Sequence, residues 1–351
     1  MTIVGAEARA NPGKRVARRT LWLDIGALVL LGLLVIVALS VGRYPMTPGD
    51  VLAVIWMKLT GAAASVPTSA ETVLFQVRAP RIVAAAVIGA ALAAAGAAYQ
   101  GMFRNPLVSP DILGVSAGAG LGAVLAIFLS LSVVAIQGFA FAGGLLAVAA
   151  VYFVGSSVRG HDPILALILA GVVIGTLLGA CIALLKYLAD PYNQLPAITF
   201  WLLGSVASVG PQDLKVMLPL VLVALVPLFL LRWRMNLLSL ADDEARALGV
   251  QTGIMRVVIV CAATLMTAAS VAVSGIIGWV GLLIPHAARM LVGPEFSRLL
   301  PVSMLLGASY LLGVDTLART MARIEIPPGV LTAVIGTPFF VWLLAVSRRS
   351  W

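Results

Sequence analysis

Residues 112–158 contain no charged side chain at all. A stretch that long is solvated by lipid or wholly enclosed, and at about 20 residues per crossing it holds two membrane-spanning helices. The break between them is expected near Ser130 to Gly138. Similar charge-free runs recur at 25–42, 82–103, 163–185, 216–231, 299–314 and 326–347, and 257–288 is long enough for two more helices with a turn near Ser274-Gly275. The flanks extend the shorter runs. Together they predict an all-α polytopic membrane protein with about ten transmembrane helices. Composition agrees: 61% of the 351 residues are hydrophobic and 11% charged, against about 25% charged in an average soluble domain.

The 23 basic and 14 acidic residues leave a net charge of +9. Five basic residues (Arg9, Lys14, Arg15, Arg18, Arg19) precede the first apolar run, and the others are scattered among loops rather than set in a stripe with aromatics. That excludes a nucleic-acid surface and points to membrane orientation. An even number of spans puts both termini on one side. With the N-terminus inside, 15 of the 23 basic residues fall in cytoplasmic segments, so both termini are expected in the cytoplasm. Residues 25–42 are long enough to span and lack a small-residue cleavage site, so they read as a retained first helix rather than a signal peptide.

Three connecting segments exceed simple turns. Residues 43–77 form an outer loop containing Pro45, Pro48 and Pro67. Residues 233–253 form an inner loop in which Leu237, Leu238, Leu240, Ala241, Ala245 and Leu248 alternate with Asp242, Asp243, Glu244 and Arg246, the pattern of short amphipathic helices. Residues 190–212, broken by Pro191, Pro196, Gly204 and Pro211, suit half-helices dipping into the outer leaflet.

Candidate chemistry is sparse. His161 and His286 are the only histidines, and neither has a carboxylate or thiol at helical spacing; no metal site or catalytic residue is expected. His286 follows Pro285, and a hydrogen bond into the gap left by that proline is its expected role. Cys181 and Cys261 lie in apolar runs and are expected to pack as buried thiols. Asp315 is the main candidate for an intramembrane ionisable group, and Arg319 follows at the spacing of a helical ion pair. With so few such groups, a proton- or cation-coupled pathway is disfavoured. Gly114, Gly118 and Gly122, and Gly171, Gly175 and Gly179, recur every four residues. Such faces allow close helix approach and serve a dimer seam, an intrachain contact or a conduit wall alike.

Four stretches together carry a family resemblance. They are VRAPRIVAAAVIGAALAAAGAAYQGMFRNPLVSPDILGVSAGAG at 77–120, NLLSLADDEARALGV at 236–250, GWVGLLIPHAARMLVG at 278–293, and VDTLAR at 314–319 continuing through IEIPPGVLTAVIGTPFFVWLL at 324–344. In order and spacing they resemble the BtuC-like (FecCD-type) permeases of ATP-binding-cassette importers for vitamin B12, ferric siderophores and haem. The resemblance implies one permease domain over residues 1–351, with a cytoplasmic basic tail at 1–20, in the bacterial inner membrane. It implies a homodimer, two cytoplasmic ATPase subunits that use ATP-Mg, a periplasmic binding protein, and no cofactor bound by this chain.

Residue by residue, the resemblance gives ATPase coupling to the loop 236–250, with Leu238, Leu240, Asp242, Asp243, Glu244, Arg246, Leu248 and Gly249. It gives docking of the binding protein to Arg78, Arg81 and Arg319. The pathway and gate match Asn105 and Leu107, together with the start of the fifth helix, where relatives carry small hydroxyl residues and this chain has Ile164 and Leu165; Gly171 and Gly175 lie on the same helix. The substrate stays open among siderophore, haem, cobalamin and molybdate. The competing class is an ATP-independent secondary transporter or channel, for which the 236–250 loop would have no use.

Overall fold

The computed structural model describes residues 12–42, 44–61, 67–157, 163–240 and 242–347; His161, Arg159 and residues 1–11 of the basic tail lie outside them. Among the described residues every regular element is helical. The helices are α1 (Pro12–Ser40), α2 (Pro48–Thr60), α3 (Thr68–Thr72), α4 (Ala79–Met102), α5 (Val115–Phe128), α6 (Val133–Ser157), α7 (Pro163–Leu188), α8 (Gln194–Leu202), α9 (Pro211–Met235), α10 (Asp242–Ala247), α11 (Thr252–Ser274), α12 (Val280–Val292), α13 (Phe296–Thr320) and α14 (Pro328–Ser347).

Among the described residues seven helices are long and apolar enough to cross a bilayer, and three shorter apolar ones, α5, α12 and α14, complete the expected ten. Each charge-free run holds a helix, and the breaks fall at residues 129–132 and 275–279, where they were expected. The α11–α12 break is a change of direction at Gly275 (φ +67°) and Trp279 (φ +72°). The half-helix α8 packs beside it, with the Ser205 amide donating to the Ser274 carbonyl at 2.7 Å. Irregular backbone at membrane depth is tolerable only when satisfied in this way.

One boundary differs from the sequence reading. The helix expected at 82 begins at Thr68: α3 continues through a π-helical turn at Val73–Arg78 directly into α4. Arg78 and Arg81 therefore sit inside a continuous helix of 34 residues, Ser69–Met102, instead of at a loop edge. Among its other described residues, the outer segment holds a further helix, α2. α2 starts with a capping box in which Thr47 and Asp50 satisfy each other's end groups. Hydrogen bonds from the Thr47 amide and hydroxyl hold the Asp50 carboxyl below its ordinary range.

The centre of the bundle is α4, packed by α13, α11, α12 and α9. Lipid supplies no hydrophobic drive between helices, so close packing of small residues must hold them. Ala84, Ala85, Ala91, Ala93, Ala94, Ala95, Ala97 and Ala98 of α4 are wholly buried. A Cβ added at Gly89 would lie 2.2 Å from the Gly307 carbonyl oxygen of α13. The second bundle half is α5 with α6 and α7. There Gly118 and Gly143 meet backbone to backbone, so the 118/122 stripe serves an intrachain contact. Cys181 is half-buried and Cys261 exposed, correcting the expectation of two packed thiols; a thiol is apolar enough to face acyl chains.

Candidate functional site

The segment expected to meet an ATPase begins where α9 ends. A 3-10 turn, Asn236–Ser239, leads into α10. Leu238 is buried and Leu240 half-buried. Arg104, at the end of α4, crosses to this segment: its Nε donates to the Leu238 carbonyl at 2.7 Å and a terminal nitrogen to Asp242 Oδ1 at 3.2 Å. Arg256 of α11 donates to the same carboxylate oxygen at 2.7 Å. Asp242 is thus an internal bridge between two guanidiniums, which separates it from its neighbours. Asp243 is 98% exposed at the side chain, in loose contact with Arg246 at 3.9 Å; Glu244 is exposed as well, and Leu248 is 60% exposed.

α10 ends in a Schellman motif. Gly249 takes φ +80°, its amide donates to the Arg246 carbonyl, and the Val250 amide donates to the Ala245 carbonyl, with Ala245 and Val250 both buried. A β-carbon at 249 would oppose that left-handed turn. Among the described residues the segment 236–250 is therefore a knob tied to the bundle, with a buried inner face and an outward surface of Asp243, Glu244, Arg246 and Leu248.

At the opposite end, the three arginines expected to face a partner are buried. Arg81 grips Asp315 side-on, Nε and a terminal nitrogen reaching its carboxylate at 3.0 and 2.8 Å, and contacts Glu325 at 3.0 Å. Arg78 donates to the carbonyls of Leu39 and Tyr44, and Arg319 to that of Ala38. Two guanidiniums therefore cap the C-terminal carbonyls of α1, where helix dipole and unsatisfied acceptors both favour a cation. The expected Asp315–Arg319 helical pair is replaced by Asp315–Arg81, because the bidentate fork from α4 matches the carboxylate better than a neighbour one turn away. Asp315 is completely buried and has its charge answered within the chain.

The pathway candidates fall in two groups. Asn105 Oδ1 accepts the Leu107 amide at 2.9 Å, shaping the turn after α4, and leaves Leu107 48% exposed. Ile164 is half-buried and Leu165 47% exposed at the start of α7. Gly171 lets α7 touch the 110–113 turn: an added Cβ would lie 2.0 Å from the Ile112 carbonyl oxygen. Among the described residues nothing lies within 4 Å of a Cβ at Gly175 or Gly179, so of this repeat Gly171 alone has a packing contact there. Leu169, Val172, Val173 and Leu177 make the rest of that α7 face uncovered.

Two further features stand apart, one without a sequence counterpart and one that departs from its expected role. A cavity of about 560 Å³ opens between the α5–α6 turn, α8 and the end of α11, lined in part by Gln137, Asn193, Gln194, Ser205 and Ser274. Its polarity arises from residues far apart in the chain, and only the broken 190–212 segment hinted at it. His286 is the other. It is buried, and neither ring nitrogen has a hydrogen-bond partner, so the expected bond into the Pro285 gap is not made. Its ring instead packs edge-on to Phe340 at 6.4 Å. Among the described residues no group of three or more metal-ligating side chains exists.

A family model, the FecCD transport family, matches residues 30–346. The chain belongs to this family. It is 41% identical over 327 residues to the molybdate import system permease protein MolB of Haemophilus influenzae, covering 93% of this chain and 96% of that protein. It is also 41% identical over 295 residues to the cobalamin import system permease protein BtuC of Halobacterium salinarum, covering 82% and 79%. A solved chain described as an inward-facing conformation of a metal-chelate type ABC transporter superposes with a TM-score of 0.82 at 38% identity, over 92% of this chain and 98% of that one. The chain is accordingly an ABC transporter permease subunit, a multi-pass membrane protein, and not itself an enzyme. The secondary-transporter alternative falls away.

Proposed function

We propose that two copies of this chain form an ATP-driven importer passage, moving a metal chelate or cobalamin from the periplasm through the bacterial inner membrane into the cytoplasm. The observation that carries this reading is the 236–250 knob with its ties to Arg104 and Arg256. A surface loop without a partner has no need of two internal guanidinium ties and a Schellman stop, whereas a lever that transmits motion must not yield. An ATPase subunit, with ATP-Mg, would seat on Asp243, Glu244, Arg246 and Leu248. The uncovered apolar face of α7 is where a second copy would close the passage, with Leu107 and Leu165 at its inner end. A binding protein would deliver substrate to the outer face, which the buried Arg78, Arg81 and Arg319 support from beneath.

A second reading, a molybdate-type oxyanion, is supported by the 41% identity to the molybdate permease over nearly its whole length. Proteoliposomes carrying this chain with its cognate ATPase and binding protein should accumulate one of ferric chelate, haem, cobalamin or molybdate only when ATP is inside the ATPase-facing compartment. Uptake without ATP, or of none of the four, would refute the proposal.

Orientation has its own test. After replacement of Cys181 and Cys261, cysteine at Leu59, which is 78% exposed on α2, should react with an impermeant thiol reagent applied to intact cells. Cysteine at Leu248 should react only after lysis. Labelling of both from outside would overturn cytoplasmic termini.

A further inference from the structure

At the end of the bundle away from the 236–250 knob lies the cavity of about 560 Å³ between the α5–α6 turn, α8 and the end of α11. That volume falls within the roughly 300–1,000 Å³ of small-molecule sites. Part of its wall is apolar: Ile136, Val273, the half-buried Trp201, and Phe200, which is 69% exposed. Among the described residues that line it, none is ionisable. Its polar groups are uncharged and within reach of a ligand. Gln137 donates to Asp213 at 2.8 Å, while its Oε1 is not sealed and accepts nothing. The exposed side chains of Asn193 and Ser208 make no hydrogen bond among the described residues. The Ser205 hydroxyl accepts from the Ala207 amide at 3.1 Å and keeps its own proton free.

The carboxylates behind this wall are already engaged. Asp190 accepts the Asn193 amide at 2.7 Å, and Asp213 accepts the Gly210 amide and Gln137, both at 2.8 Å. An anion in the cavity would meet no guanidinium or ammonium group. The N-terminus of α8 offers it nothing, because Asp190 already sits there. A bare cation would find no free carboxylate. What remains is a set of amide and hydroxyl donors and acceptors beside an aromatic and aliphatic surface. We propose that this cavity is a binding site for a neutral organic molecule. Its amides or hydroxyls meet Gln137, Asn193, Ser205 and Ser208, and its apolar or conjugated face lies on Phe200 and Trp201. The inference rests on the importer reading for its cargo, and it selects a chelate with a neutral, amide-bearing shell over an oxyanion.

The test uses the full-length chain in phosphatidylcholine nanodiscs, with equilibrium dialysis against four probes. Two are neutral and amide-bearing: ferrichrome, a ferric trihydroxamate, and cyanocobalamin, a corrinoid. Two are anions, molybdate and ferric citrate. Wild-type protein should retain at least one neutral probe, which identifies the shell, and neither anion. Asn193→Leu combined with Ser208→Ala should weaken that binding about tenfold, the scale of one or two lost neutral hydrogen bonds. The Asn193 side chain does not cap α8, so the helix should persist. Phe200→Ala should weaken binding severalfold, and its exposed position makes it decisive if the double variant does not fold. Retention of neither neutral probe, tighter retention of molybdate than of both, or binding equal in wild type and variants overturns the proposal. So does a cysteine at Ser208 that the binding protein shields from thiol reagents and neither chelate does, because that assigns the cavity to a protein partner. Neither ATPase nor binding protein is present in the dialysis, so failure there leaves the importer passage standing. Conversely, retained binding without ATP-driven uptake in proteoliposomes would remove the importer reading and keep this site.

Discussion

Arg81→Ala should unfold or severely destabilise this permease, lowering its melting temperature in detergent far more than any surface substitution. Arg81 and Asp315 have side chains 9% and 1% exposed, and deleting one member of such a pair strands the other's charge in an apolar interior. Costs of about 3–5 kcal/mol are typical of that event. Asp315→Ala should cost a similar amount. The double variant Arg81→Leu, Asp315→Leu should cost much less than the two single losses together, because neither charge remains; Glu325, 32% exposed, can turn to water. The same cycle discriminates scaffold from docking. If Arg81 supports the outer face from within, the folded double variant still associates with the binding protein at near-normal rates and with normal salt dependence. If it is itself a docking group, the double variant folds yet loses salt-sensitive association.

That pair also marks where the sequence stops being informative. The ten spans were legible because lipid demands long charge-free runs, and the composition of residues 112–158 or 257–288 admits little else. The short helices of 236–250 were legible because their leucines and acids alternate at helical spacing. What the sequence could not show was which remote groups meet within the chain. Arg78 and Arg81 were expected to dock a binding protein, and their contacts within the chain, carbonyls of α1 and a carboxylate 234 positions away, could not be read from their neighbours in sequence. The local candidate, Arg319, was therefore given to Asp315. Likewise three consecutive acids at 242–244 look equivalent in sequence. Only the arrival of Arg104 and Arg256 from other helices turns Asp242 inward and leaves Asp243 outside. The glycine repeats were ambiguous for the same reason: Gly118 and Gly171 touch backbone, Gly175 touches nothing among the described residues, and the four-residue period is identical.

The division of labour within 242–244 leads to the sharpest expectation about coupling. Asp243→Lys combined with Leu248→Ser alters only outward groups, so the permease should fold, insert and melt as wild type does. The variant should nevertheless lose ATPase attachment by about thirtyfold, since central interface residues commonly carry roughly 2 kcal/mol. Transport should fall with it, while substrate association at the outer face stays normal. Asp242→Ala should fail in the opposite manner. It removes the shared acceptor of Arg104 and Arg256, of which Arg256 is only 12% exposed, and loosens the whole segment at a stability cost of about 1–2 kcal/mol. Hydrogen exchange should show faster opening of residues 236–250 in Asp242→Ala and no change in the Asp243 and Leu248 variant. ATPase binding measured on the same two proteins then separates contact from rigidity. Wild-type attachment and coupled uptake in the Asp243→Lys, Leu248→Ser protein would remove the 236–250 knob from the ATPase interface.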